Sequence, residues 1–152
     1  MKRLLTIAAI AALLIGCTAQ QPAPVVEDNT PGFVLSDENV EVKIGEDGAL
    51  LSLINKETGH NYASGEGLWR MFYNTHEEKE MQIDGTENTP EVSQEGDMII
   101  ITYKDLVHRG KALKMGLTLT VKVEDGAVRF GSEVSNNEPG TIIRELQYPL
   151  VG

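Results

Sequence analysis

The chain has 152 residues with 13 Lys and Arg against 23 Asp and Glu, a formal charge of −10. So acidic a surface repels nucleic acid and anionic lipid head groups, and no basic stripe opposes that, which excludes nucleic-acid binding. A single cysteine, Cys17, excludes an intramolecular disulfide.

The chain opens Met1-Lys2-Arg3, followed by the apolar run Leu4–Ile15 and then Gly16-Cys17. A basic head, a short apolar stretch and a small residue before the cut are the layout of a secretory signal peptide over 1–16. The run is too short for a membrane span, which needs about 20 apolar residues. Leu14-Ile15-Gly16-Cys17 resembles the lipobox of bacterial lipoproteins. That resemblance implies cleavage before Cys17, acyl chains on Cys17 and a membrane partner bound through them. Each buried CH₂ contributes about 0.8 kcal/mol, so two or more chains anchor stably where one is marginal. The alternatives are a plain secretory signal with an incidental cysteine, or a buried apolar helix. Thr18, in place of an aspartate, fits outer-membrane delivery under the usual bacterial sorting rule.

Thr18–Pro31, TAQQPAPVVEDNTP, holds three of the six prolines and shows no apolar periodicity. With Cys17 it reads as a tether over 17–31, extended and polar; an edge strand at Val25-Val26 is the other reading. Loss of Lys2 and Arg3 with the signal leaves 11 basic residues against 23 acidic, a formal charge of −12. The remaining 32–152 suffices for one modest core and not for two domains.

From Val40 the apolar period is two. Val40, Val42 and Ile44 alternate with Glu41 and Lys43, Gly45–Gly48 turns, and Ala49–Asn55 returns as the second arm of a hairpin. Leu53–Asn61, LINKETGHN, crowds polar groups after that arm. In register it is a hairpin tip, in which Asn55 and Gly59 suit turn positions and Lys56, Glu57 and Thr58 can face water. Gly67–Asn74 reads as a strand, and Glu77–Ile83 as a weaker one. Met98–Val107 is a further strand, whose run Met98–Ile101 suggests cover on both faces or a buried sheet centre. Met115, Leu117, Leu119, Val121 and Val123 alternate with Gly116, Thr118, Thr120 and Lys122, the clearest half-buried strand. Glu124–Gly126 turns it into Ala127–Ser135, where Val128, Phe130 and Val134 share a face. Asn136–Gly140 turns again, and Thr141–Val151 is the last strand. Beyond the signal no helical period persists, so the expected fold is all-β, an antiparallel β-sandwich.

The sequence offers little chemistry. His60, His76 and His108 are far apart, and none has a partner at metal-ligand spacing. No G-x-S-x-G elbow or phosphate-binding glycine loop is present. No catalytic residue, metal or cofactor is therefore assigned. Paired carboxylates are unavoidable among 23 acidic residues; most lie in turns, and Glu133 and Glu145 stand out only for lying on strands. Tyr62, Trp69, Phe72 and Tyr73 gather within twelve residues. Alternation puts Trp69, Met71 and Tyr73 on one face and Leu68, Arg70 and Phe72 on the other. A lone Trp in a small β domain fills the core or stacks on a pyranose. On the second reading Trp69, Arg70 and Tyr73 are the candidate carbohydrate contacts.

Three segments, LSLINKETG (Leu51–Gly59), GLWRMF (Gly67–Phe72) and IRELQYPLVG (Ile143–Gly152), together resemble the start of the galactose-mutarotase-like β-supersandwich. That domain lies at the N-terminal end of certain large exported glycoside hydrolase-like proteins, ahead of a (β/α)₈ catalytic barrel. The likeness spans about Val40–Gly152 and rests on short, permissive motifs. It implies a partial supersandwich, because the full domain needs roughly twice this length. It also implies a non-catalytic accessory role beside a C-terminal barrel that carries the catalytic carboxylates. The paired histidines and catalytic glutamate of the free-standing mutarotases have no counterpart here. Two readings follow: an accessory domain of a glycan-degrading lipoprotein, or a stand-alone structural or protein-interaction lipoprotein of the envelope. An enzyme in its own right is the third and weakest.

Overall fold

A computed structural model describes residues 30–65 and 67–152. The segments expected as a signal peptide over 1–16 and, with Cys17, a tether over 17–31 lie outside the described residues but for Thr30 and Pro31, and with them the alternative strand at Val25-Val26.

Twelve strands, joined by turns and one 3₁₀ turn at Gly85–Glu87, make up the described chain. The strands are β1 (Gly32–Ser36), β2 (Val40–Gly45), β3 (Leu50–Asn55), β4 (Arg70–Asn74), β5 (Met81–Asp84) and β6 (Glu91–Glu95). They continue as β7 (Met98–Tyr103), β8 (Val107–His108), β9 (Lys111–Ala112), β10 (Met115–Glu124), β11 (Ala127–Asn136) and β12 (Ile142–Gln147). All pairings are antiparallel, and they give sheets ordered β1-β2-β3, β11-β10-β7-β6 and β12-β4-β5, with β8-β9 a small hairpin.

Period-two patterning produces this architecture directly. On β10 Met115, Leu117, Leu119 and Val121 are buried, and the residues between them are only half-buried. Leu119 pairs with Ile101 of β7 and Ser132 of β11, so β10 is a central strand of the four-stranded sheet. Leu35, Val42, Ile44 and Leu50 from the β1-β2-β3 sheet, and Met71, Tyr73 and Ile83 from the β12-β4-β5 sheet, join the same core. The β1-β2-β3 sheet packs on β7, β10 and β11. The expected all-β antiparallel sandwich is therefore the observed class.

Several local expectations change. β1 and β6 come from segments without a strong alternating signal, and β1 is held by five paired residues running antiparallel to β2. β4 starts at Arg70 rather than Gly67, and the strand expected over Thr141–Val151 ends at Gln147. Met98–Ile101 is not covered on both sides: Ile99 and Ile101 are fully buried, whereas Met98 and Ile100 on the outer face are only half-buried. Of the two readings the run fits the sheet centre: β7 is paired on both edges, by β6 and β10.

The segment LINKETGHN is a hairpin tip, as its register suggests. Gly59 N–H donates to Asn55 O, Asn55 N–H donates to His60 O, and Tyr62 N–H donates to Leu53 O. The side chain of Asn61 accepts Leu53 N–H at 3.0 Å, closing the return. Lys56 does not simply face water. Its ammonium donates to Asp37 O at 2.7 Å and lies 3.9 Å from Glu41, tying the tip to the β1–β2 turn.

After β12 the chain runs back over the sandwich through a cis Tyr148–Pro149 bond. Tyr148 donates its hydroxyl to Thr120 O at 2.8 Å and meets Phe130 edge-on at 5.6 Å. Leu150 N–H donates to Leu68 O, and Gly152 N–H to Tyr62 O, so the last residues brace the loop that leads into β4.

Candidate functional site

β4 organises every candidate residue that the aromatic cluster suggested. Its alternation sends Met71 and Tyr73 inward and Arg70, Phe72 and Asn74 outward, with Trp69 turning inward just before the strand. Trp69 is 1% exposed and Tyr73 2%. Neither presents a ring face to solvent, so a sugar cannot stack on either in this packing. The physical reason is the one that competed with the ligand reading: large aromatic side chains on an inward register are worth most inside. Arg70 is on the opposite face, so Trp69, Arg70 and Tyr73 do not form one site.

The outer face is where β4 meets solvent. Phe72, half-buried, lies between Glu145 of β12 and Gln82 of β5, while Arg70 lies between Gln147 and Asp84. A shallow groove of about 630 Å³ runs over Phe72, Asn74, Lys79, Glu80, Arg144 and Glu145. Asn74 Oδ1 accepts Glu80 N–H at 2.8 Å, and Gln147 Nε2 donates to Glu145 Oε1 at 2.9 Å, so two rim side chains are pre-oriented. Arg70 Nε is buried without a partner. Its charge, together with the Thr86 hydroxyl that bonds the carboxylate first and most strongly, holds Asp84 below the usual carboxylate range. A floor ring rimmed by amides and by both signs of charge can stack on an apolar sugar face and bond its hydroxyls.

Two further concavities lie at the ends of the inward stripe. At the Tyr73 end a cavity of about 490 Å³ brings together His76, His108, Arg109, Glu78 and Glu138. His108 meets Tyr73 edge-on at 5.7 Å, and its Nε2 is buried without a partner. Arg109 pairs with Glu78 at 3.3 Å and Lys111 with Glu138 at 3.9 Å. Burial pushes the Tyr73 phenol up; Arg109 opposes this, and Glu78 and Glu138 add to it. Sequence reading kept these histidines apart because linear spacing cannot show that the β4–β5 turn and the β8–β9 hairpin converge. At the Trp69 end, a smaller cavity of about 280 Å³ opens between the β2–β3 turn and the 3₁₀ turn.

The remaining candidates stay dispersed. His60 stacks edge-on with Tyr62 at 4.4 Å beside the hairpin tip. Glu133 is on β11 and Glu145 on β12, in different sheets, and both are exposed. Among the described residues no three His, Cys, Asp or Glu side chains converge as a metal-binding set. No helix among them is long and apolar enough to cross a membrane.

No protein-family model matches this chain, and no curated protein and no solved structure matches it either.

Proposed function

We propose that the protein is a lipid-anchored envelope protein of the outer membrane whose β-sandwich is a non-catalytic accessory domain of a glycan-degrading, glycoside hydrolase-like system. The observation that carries this reading is the outer-face groove of the β12-β4-β5 sheet. There Phe72 offers an aromatic floor and Asn74, Gln147, Arg144 and Glu145 offer donors and acceptors at its rim. The lipobox-like ending at Cys17 supplies the anchor, and the resemblance of Leu51–Gly59, Gly67–Phe72 and Ile143–Gly152 to a supersandwich supplies the catalytic context. On this reading the partners are the membrane, through acyl chains on Cys17, a polysaccharide, and a C-terminal catalytic barrel outside this chain. Carbohydrate contact passes from Trp69 and Tyr73 to Phe72, with half-buried Arg70 beside it on the same outer face.

The test is retention of the purified full chain on immobilised polysaccharides, beside Phe72→Ala. Retention lost in Phe72→Ala, at an unchanged unfolding midpoint, supports the groove. Equal retention of both proteins, or retention of neither, refutes it. Membrane fractionation of wild type and Cys17→Ser tests the anchor; equal membrane retention of both removes it. Reading the coding DNA past codon 152 tests the association with a barrel.

A second reading has its own observation. β11 is a ten-residue edge strand with one unpaired side among the described residues. Val134 on β11 and Ile142 on β12 are 37% and 65% exposed. A long open edge beside exposed apolar side chains is a place where another protein adds a strand. This favours a stand-alone protein-interaction lipoprotein, and a partner that protects β11 amides from hydrogen exchange distinguishes it from the first.

A further inference from the structure

Among the described residues β11 is a long, regular and open sheet edge. It runs ten residues, pairs with β10 without a register shift, and has no neighbour on its other side. No other edge strand exceeds six residues. Asn137 N–H donates to Lys114 O, which continues the phase in which odd-numbered residues of β11 turn their backbone groups toward β10. Val128, Phe130, Ser132 and Val134 therefore aim theirs at the open side. Edges are normally protected by brevity, bulges, proline or charge. β12 is short and has a register shift between Ile143 and Glu145. β6, at the far side of the same sheet, carries Glu91 and Glu95 symmetrically about Ser93, so a second β6 would meet it glutamate against glutamate. β11 has no proline, no bulge, and two charges of opposite sign.

The sequence of β11 is complementary to itself. In Val128-Arg129-Phe130-Gly131-Ser132-Glu133-Val134, the two valines stand at equal distances from Gly131, and so do the arginine and the glutamate. An antiparallel pairing of two identical strands must be centred on a residue, because directly opposed residues share one hydrogen-bonding phase. Centred on Gly131, it sets Arg129 of each copy against Glu133 of the other, and Val128 against Val134. Arg129 and Glu133 are the only charged residues of the strand, so no other centre opposes them. The open-side residues then form the hydrogen-bonded pairs. Arg129 and Glu133 fall in the closer, non-hydrogen-bonded pairs, with Cα atoms about 4.5 Å apart. The faces sort as well. Val128 and Val134 lie opposite Val123 and Leu117 of β10, on the core side, whereas Arg129 and Glu133 lie opposite Lys122 and Thr118, on the outer side. Val134 is 37% exposed, so the pairing covers an apolar side chain at the margin of the core. Glu133 is exposed and has no ion pair among the described residues. Arg129 meets Glu124 through Nε at 3.2 Å, and a guanidinium has donors enough for a second carboxylate.

We propose that β11 pairs with β11 of a second copy of this chain, antiparallel about a two-fold axis at Gly131, joining two four-stranded sheets into one. Self-pairing rests on the second reading of function, in which β11 is an interaction edge, and gives that edge its occupant. The formal charge of −10 opposes association of two copies at long range, and the two arginine–glutamate pairs are where the copies attract.

The experiment uses the purified full chain in detergent, with Cys17→Ser as background so that an introduced cysteine is the only thiol. Residue 131 faces itself across the axis, at a separation a disulfide spans. Gly131→Cys is expected to give a covalent dimer under mild oxidation. Ser135→Cys, on the same face, is expected to give none, because its two copies stand roughly 26 Å apart at ~3.3 Å per residue. Sedimentation equilibrium of charge variants reads the register independently. Arg129→Glu and Glu133→Arg each oppose like charges on both sides of the axis, and each is expected to weaken dimerisation at least about tenfold. An equimolar mixture of the two variants is expected to dimerise within about threefold of the parent, because opposite charges face each other again. Equal cross-linking at both positions overturns the proposal, as does no cross-link in a Gly131→Cys protein that keeps the parent's urea midpoint. Charge variants that dimerise like the parent, or a mixture that fails to recover, overturn it too. So does a chain that stays monomeric up to about 1 mM. Amide exchange then separates the two levels: in such a monomer, freely exchanging Val128, Phe130, Ser132 and Val134 amides leave the edge open to another protein, whereas protected ones remove the edge reading as well.

Discussion

Gly48→Ala and Gly59→Ala together measure how much of this fold's stability depends on close packing around the β2–β3 turn. Both glycines hold left-handed backbone, with φ of +79° and +71°. An L-residue in that region costs about 1–2 kcal/mol, so each alanine loses at least that much. Their surroundings differ completely. Nothing lies within 4 Å of a Cβ built on Gly59, whereas one on Gly48 would sit 2.7 Å from Tyr103 Oη, 2.9 Å from Pro90 Cγ and 3.2 Å from Ile101 Cγ2. Pro90, Tyr103 and Ile101 are buried and cannot swing away, so Gly48→Ala adds an overpacking penalty of about 1–3 kcal/mol. The expected losses are about 1–2 kcal/mol for Gly59→Ala and about 2–5 kcal/mol for Gly48→Ala. Urea unfolding of the full chain in a Cys17→Ser background, followed by Trp69 fluorescence, measures both. With a slope of about 2 kcal/mol/M, a difference of about 2 kcal/mol separates the two midpoints by about 1 M. Midpoints that agree within about 0.3 M at equal slopes would refute the packing argument, because the backbone term is common to both.

Two further outcomes follow from the same structure. Asp37 accepts backbone N–H groups of Val40, Asn39 and Gly126 at 2.9, 2.8 and 3.0 Å, and these bonds, Val40 first, hold its carboxyl below the ordinary value of 3.8. A carboxyl depressed in the folded state stabilises above its unfolded value and stops doing so as pH falls through the folded one. Wild type therefore loses stability below pH 3.8, and Asp37→Asn shows a shallower loss over that window in urea midpoints measured along a pH series. Equal slopes would remove Asp37 as the acid-sensitive clasp between the β1–β2 and β10–β11 turns. Leu119→Ala, at a fully buried position on the central strand, is expected to cost about 2–5 kcal/mol by urea unfolding, and a loss under about 1 kcal/mol would contradict the core placement.

The sequence alone carried the class of the fold, because strand alternation is a local property. Val40–Ile44 and Met115–Val123 wrote their buried faces in period two, and the structure buries Val42, Ile44, Leu117, Leu119 and Val121 as that register requires. The turn at Asn55–Gly59 was legible for a similar reason, since the side-chain and backbone bonds that close it lie within a few residues. The register of β4 was equally visible: Trp69, Met71 and Tyr73 do share a face.

Alternation could not say which face of β4 looked inward, and that choice belongs to the tertiary structure. A strand period distinguishes two sides but does not name the buried one when both carry aromatics. The packing of β4 between β12 and β5, against Tyr103 and His108, sent Trp69 and Tyr73 inside and left Phe72 as the ring at the surface. The same long-range assembly brought His76 beside His108 and Gly85 beside Trp69. These juxtapositions arise between segments whose local chemistry is silent about one another. They are determined only when the core closes, because the buried apolar faces of three sheets have a single way to share one interior.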